Sequence, residues 1–172
     1  MPAILVNNIK VVIVESKERT CCVLGHRKID VTDELANRLK EIIERLIIEC
    51  GVETFLFGSK SEFDALCQNV VAELKIKYPN IKRIYVRAEF PYIDESYKEY
   101  LLKNFEHTYY PETLINAGRA VYVKRNCEMI DKSRFCIIYY DENYKSSTRR
   151  KSGTKIAYDY MVRKGLKIIR LP

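Results

Sequence analysis

The chain has 172 residues, 47% of them hydrophobic and 31% charged, with a formal net charge of +7. That length suits one domain with a real core and is short for two, and the balance is that of an ordinary globular protein rather than a disordered or fibrous one. The positive charge favours anionic partners such as nucleotides or nucleic acid, and taken alone it is equally well explained by surplus surface lysine.

Taken in chain order, "IKVVIVES" reads as a short edge strand or hairpin arm inside an N-terminal extension over 1–17. "RTCCVLG" is a second strand ending in Gly25-His26-Arg27. Leu35, Leu39, Ile42, Ile43, Leu46 and Ile47 recur at the helical period and predict a helix from Asp33 to Cys50, with Gly51 as its stop. "ETFLFGS" is a buried strand, and Ser59-Lys60-Ser61-Glu62 has capping-box spacing at the head of a second helix. Tyr78-Pro79-Asn80 ends that helix, and "IKRIYVRAE" is the next strand. A short helix over Ser96–Asn104 and a short strand over His107–Tyr110 follow, then helix from about Arg119 to Ser133. "RFCIIYYDE" is a buried strand, Gly153 to Lys164 a helix stopped by Gly165, and "LKIIRLP" a last strand. Compact apolar strands alternating with helices predict an α/β, Rossmann-like, doubly wound and mostly parallel sheet with helices on both faces.

Six cysteines, Cys21, Cys22, Cys50, Cys67, Cys127 and Cys136, form no Cys-x-x-Cys pair and mostly sit in apolar runs. They are expected to be reduced residues of a cytoplasmic protein. With only His26 and His107 besides, no metal site and no cofactor are expected. No apolar run approaches a membrane span, and the N-terminus is not expected to act as a signal peptide, since Asn7, Asn8 and Lys10 break it.

In such sheets ligands bind beyond the carboxyl ends of the strands. The loops that begin there carry His26-Arg27, then Ser59-Lys60-Ser61 with Asp64 a turn further on, then Phe90-Pro91-Tyr92, and finally the basic run "KSSTRRKSGTK". In that run Ser152-Gly153-Thr154 opens a helix, where free N–H groups, the helix dipole and two hydroxyls suit a phosphate; Ser152 would also suit a plain helix cap. Gly58-Ser59 repeats the pattern. The Gly-x-Gly-x-x-Gly fingerprint and the P-loop are both absent, which argues against a standard hydride-transfer enzyme or NTPase. Asp131, in "RNCEMIDKS", reads either as a carboxylate for a ribose or as part of a helix-end turn network.

"LGHR", "GSKSEFD", "RNCEMIDKS" and "SGTKIAYDY", in that order, resemble the SLOG superfamily, the Rossmann-like fold shared by Smf/DprA and lonely-guy proteins, and within it the YpsA-like bacterial branch. The resemblance covers roughly residues 18–171 and implies a nucleotide-type ligand across the strand ends. By that resemblance Gly25, His26 and Arg27 form one wall, Gly58, Ser59 and Asp64 a glycine loop, Ser152, Gly153 and Thr154 the phosphate loop, and Arg125 and Asn126 approach from their helix. The chain departs from the pattern at Ser59 and Phe63, where the branch tends to have glycine. It also lacks the glutamate that follows the Gly-Thr loop of the lonely-guy enzymes; Lys155, Ile156 and Ala157 stand there instead.

Three functions remain open. One is binding of a nucleotide or nucleotide-derived ligand by a sensor or sequestering protein. Another is hydrolysis of a nucleotide's N-glycosidic bond, for which Glu62, Asp64, Glu89 and Asp131 are the candidate carboxylates. The third is single-stranded nucleic-acid binding, to which thirteen tyrosines would lend stacking faces. Self-association into a homodimer is what the resemblance suggests.

Overall fold

A computed structural model describes residues 16–58, 60–144 and 152–172. The strand expected over 9–16 therefore falls almost wholly outside the described residues, as do Ser59 and the basic residues Arg149, Arg150 and Lys151.

Among the described residues six parallel strands form one sheet: β1 (Thr20–Gly25), β2 (Thr54–Phe57), β3 (Lys82–Val86), β4 (His107–Tyr109), β5 (Phe135–Tyr139) and β6 (Lys167–Leu171). Their order is β4-β3-β2-β1-β5-β6. The helices are α1 (Asp33–Cys50), α2 (Glu62–Lys77), α3 (Glu95–Leu102), α4 (Val121–Asp131) and α5 (Gly153–Lys164). The chain is thus a Rossmann-like, doubly wound α/β fold, and its sheet is parallel throughout.

Register follows from apolar residues on both faces of the central strands, as buried parallel sheets require. Cys21 and Val23 of β1 join Phe55, Phe57 and Ile137 against Leu39, Ile43 and Leu46 of α1 and Phe63, Cys67, Val70, Val71 and Leu74 of α2. Cys22 and Leu24 face the other way, with Leu56, Ile84, Val86, Cys136 and Ile138, against Met129 and Ile130 of α4 and Ala157 and Met161 of α5. The adjacent pair Cys21-Cys22 therefore belongs to two different cores, and all six cysteines are free thiols.

Local signals set the helix ends. Thr32 accepts the Leu35 N–H, Asp94 the Tyr97 N–H and Ser152 the Lys155 N–H. Gly51 and Gly165 close α1 and α5 in the left-handed conformation, with φ of 67° and 70°. The second helix departs from its expected start. Its cap is Ser61, which accepts the Asp64 N–H at 3.0 Å and donates its hydroxyl to Asp64 Oδ1 at 3.1 Å. The reciprocal box is therefore Ser61 with Asp64, two residues later than the Ser59–Glu62 spacing suggests.

No described helix is long and apolar enough to cross a membrane. Ile137, wholly buried in β5 next to the central strand, reports on the two-sided core. Ile137→Ala should cost about 2–5 kcal/mol in urea denaturation, with the slope of the transition unchanged.

Candidate functional site

Strand order reverses between β1 and β5: β2, β3 and β4 lie on one side of β1, and β5 and β6 on the other. Crossovers on the two sides send the following helices to opposite faces, which leaves a crevice between the carboxyl ends of β1 and β5. The N-termini of α1, α2, α4 and α5 all start at this edge, because each helix runs antiparallel to the strands it joins.

His26 sits at the mouth of the crevice and is only 2% exposed. Its backbone N–H donates to the Tyr139 carbonyl, and its Nε2 accepts the Asp141 N–H at 3.0 Å. The Asp141 carbonyl lies a little further from Nε2, at 3.3 Å, so the shorter contact assigns a neutral ring with its proton on Nδ1. Tyr144 stacks on the imidazole at 4.0 Å between centroids, closing a turn in which Asp141 accepts the Asn143 N–H. Burial pushes the His26 pKa below its ordinary value, with the Asp141 carbonyl and carboxylate opposing. Arg27 is exposed beside it, and its carbonyl accepts the Glu62 N–H.

A second corner joins β2, α2 and α4. Asp64 is wholly buried; beyond its exchange with Ser61, it accepts the Gly58 N–H at 3.4 Å. Arg125, 5% exposed, donates Nη1 to the Gly58 carbonyl and Nε to Asn126 Oδ1. Burial lowers the pKa of Arg125 from its usual value, while the Asp64 carboxylate acts against that shift. These contacts make Gly58, Asp64, Arg125 and Asn126, which the resemblance would set around a ligand, one network whose polar atoms are largely turned inward.

The glycines show why. A Cβ on Gly25 would lie 2.5 Å from Phe63 Cδ1, and one on Gly58 would lie 2.7 Å from Arg125 Cδ and 2.8 Å from Met129 Sδ. The chain's own side chains fill the space that a glycine loop would open to a ligand. Gly153 differs: a Cβ there would meet nothing within 4 Å. Ser152 caps α5, Gly153 is exposed and Thr154 is half-buried.

Of the four candidate carboxylates, three are otherwise engaged. Glu62 accepts the Ile29 N–H at 2.8 Å and so pins the loop after β1. Asp64 is buried in its network. Asp131 lies at the end of α4, on the opposite edge of the sheet, where it accepts the Tyr160 hydroxyl at 2.9 Å and pairs with Lys164 at 3.1 Å. Glu89 is exposed at the strand-end edge, as Glu62 is, but its partners are side chains: it accepts the Tyr122 hydroxyl at 3.2 Å, with Lys60 3.6 Å away. Sequence reasoning missed the supporting Tyr122 and Tyr144. Tyr122 was within reach of it, since it stands three residues before Arg125 on one helix face, and the Arg125 guanidinium lies 5.8 Å from its ring centroid.

A hollow of about 290 Å³ opens at the other edge of the sheet, between the ends of α1 and α2. Its charged lining residues are already paired, Glu53 with Arg19 and Lys77 with Glu44, so it gathers no reactive group. Among the described residues no group of three or more His, Cys, Asp or Glu is placed to hold a metal ion. No family model matches the chain, and no curated protein matches it.

Two outcomes test this geometry. Gly25→Ala forces the wholly buried Phe63 ring to move and should cost about 1–3 kcal/mol of stability, read as a lower urea midpoint. Because the folded His26 pKa is depressed, the unfolded chain takes up a proton first as pH falls below 6.5. Stability should therefore hold above that pH and decline below it, until the folded ring also protonates. Thermal midpoints between pH 7.5 and pH 5 should show that decline in the native chain, and His26→Asn should flatten it.

Proposed function

We propose that the chain binds a nucleotide or nucleotide-derived ligand at the carboxyl ends of its strands, with the ligand's phosphate in the crevice between β1 and β5 at the start of α5. The observation that carries this reading is the reversal of strand order at β1–β5, with the exposed Gly153 and its cap Ser152 opening the helix that follows β5. Free N–H groups at a helix start, aligned with its dipole, form an anion site when the backbone can be approached. The net charge of +7 and the SLOG resemblance agree with it. A sensor or sequestering role fits best, since Asp64 and Arg125 hold the fold together rather than facing a substrate.

A hydrolytic reading narrows to Glu89, which is exposed at this edge and held by side chains, whereas the exposed Glu62 holds the Ile29 N–H. A carboxylate there has a tyrosine hydroxyl and a lysine to orient it, as general acid–base chemistry requires.

Thermal stability in the presence of AMP, ATP, NAD, ADP-ribose, cyclic nucleotides and inorganic phosphate tests the proposal. A bound nucleotide at ~100 times its Kd should add about 2.7 kcal/mol and raise the midpoint visibly. Gly153→Ala should leave the free protein at least as stable, because the added methyl meets open space and alanine favours a helix, yet it should abolish the ligand-induced shift. No shift with any member of the panel would overturn the proposal. Base release during the same incubation, lost in Glu89→Gln with binding kept, would establish the hydrolytic reading.

A further inference from the structure

At the β3 end of the same edge stands an aromatic ledge. Phe90 is 50% exposed and Tyr100 61% exposed. Tyr97 lies between them, its centroid 6.1 Å from each, edge-on to Phe90 and nearly parallel to Tyr100. The ledge is held in place: Arg87 donates Nε to the Phe90 carbonyl at 3.1 Å, Nη2 to the Pro91 carbonyl at 3.4 Å and Nη1 to Thr108 Oγ1 at 3.2 Å. Arg87 therefore pins the loop after β3 with an apolar ring turned to water, and Asp94 caps α3 so that Tyr97 and Tyr100 follow on one face. Rings fixed before binding lose little entropy when a partner covers them.

The charge around the ledge narrows the partner. Arg87, Lys98 and Lys103 are outnumbered by Glu89, Asp94, Glu95 and Glu99, so the segment does not suit a phosphate or a polyanion. A neutral planar ring fits it. The ledge also adjoins the Arg125 corner, since Glu89, next to Phe90 in the chain, accepts the Tyr122 hydroxyl, and the Arg125 guanidinium lies 5.8 Å from the Tyr122 ring centroid. Between the β1–β5 crevice and the end of β3 lie about two and a half strand spacings, roughly 12 Å. That span exceeds the reach from phosphate to base within a mononucleotide. It suits a base that reaches the crevice through a second phosphate, one P–O–P link further out than the phosphate of a mononucleotide.

Resting on the crevice reading above, we infer that the Phe90–Tyr97–Tyr100 ledge takes the base of a nucleoside-diphosphate-linked ligand, such as ADP-ribose or a dinucleotide, whose β-phosphate, one link further from the base than the phosphate of AMP, lies in the crevice between β1 and β5. The test is titration calorimetry of ADP-ribose and AMP against the native chain and against Phe90→Ala, Tyr100→Ala and Gly153→Ala. Because both ledge rings are half exposed or more, their variants should keep native thermal midpoints. The native chain should bind ADP-ribose about tenfold more tightly than AMP, and the ledge variants should erase that difference by weakening ADP-ribose alone, as lost base stacking requires. Gly153→Ala should weaken both compounds. The chain contains no tryptophan, so Phe90→Trp introduces a single indole; it should retain affinity and be quenched by ADP-ribose but not by AMP. Unchanged ADP-ribose affinity in both ledge variants, with Gly153→Ala still weakening it, would remove the ledge and leave the crevice standing. Equal losses for AMP and ADP-ribose in the ledge variants would overturn the span. Binding of neither compound to the native chain would remove crevice and ledge together.

Discussion

Every other element takes its place from the pairing of β1 with a parallel neighbour on each side. Thr20, Cys21 and Cys22 pair with β2, and Cys21 through Gly25 pair with β5. From Thr20 to Leu24 the strand is buried on both faces, so its backbone polar groups have only these two ladders to satisfy them. Once both are made, right-handed crossovers force α1 and α2 to one face and α4 and α5 to the other. The reversal of strand order, and with it the crevice, is a geometric consequence of a central strand that cannot tolerate an edge.

The two corners of the edge use that crevice differently. Around Gly58 the protein has spent its close-approach positions on itself: Arg125 and Met129 crowd one glycine, and Phe63 crowds Gly25. A charged residue as buried as Arg125 needs its hydrogen bonds, and the Gly58 carbonyl and Asn126 supply them, with the Asp64 carboxylate nearby. The result is a rigid wall. Around His26 the arrangement is lighter, a neutral imidazole accepting one backbone N–H under a stacked tyrosine. At the start of α5, Gly153 is exposed and a Cβ there would meet nothing. Rigid support on one side and open backbone on the other are the usual complements of a preorganised binding site.

The fold was largely readable in the residues. The helix over Asp33–Cys50 and the helix from Gly153 to Lys164 start and stop where periodicity, caps and glycines put them. The middle of the chain was read less sharply. Gly118–Ala120 forms a separate 3-10 turn before α4, which shortens the helix expected from Arg119, and α3 starts one residue early because Asp94 is its cap. The cap of α2 was misplaced because Ser59, Ser61, Glu62 and Asp64 offer two overlapping boxes. Burial of Asp64 selects the one whose hydroxyl and carboxylate satisfy each other.

For the candidate site, the sequence marked which residues stand at the carboxyl ends of the strands, because strand ends are marked by where apolar runs stop. It did not tell which polar groups face a ligand. Asp131 and Glu89 are alike as carboxylates in the sequence; the direction in which α4 runs carries one to the far edge, while the loop after β3 leaves the other exposed at the near one. What the sequence determined by itself was local: periods, caps, and the apolar runs that must be buried. What only the tertiary structure decided was occupancy, that Phe63 and Arg125 fill the glycine gaps while Gly153 stays clear. Packing between residues far apart in the chain is a property of volumes in three dimensions, and no spacing along one strand or helix encodes it.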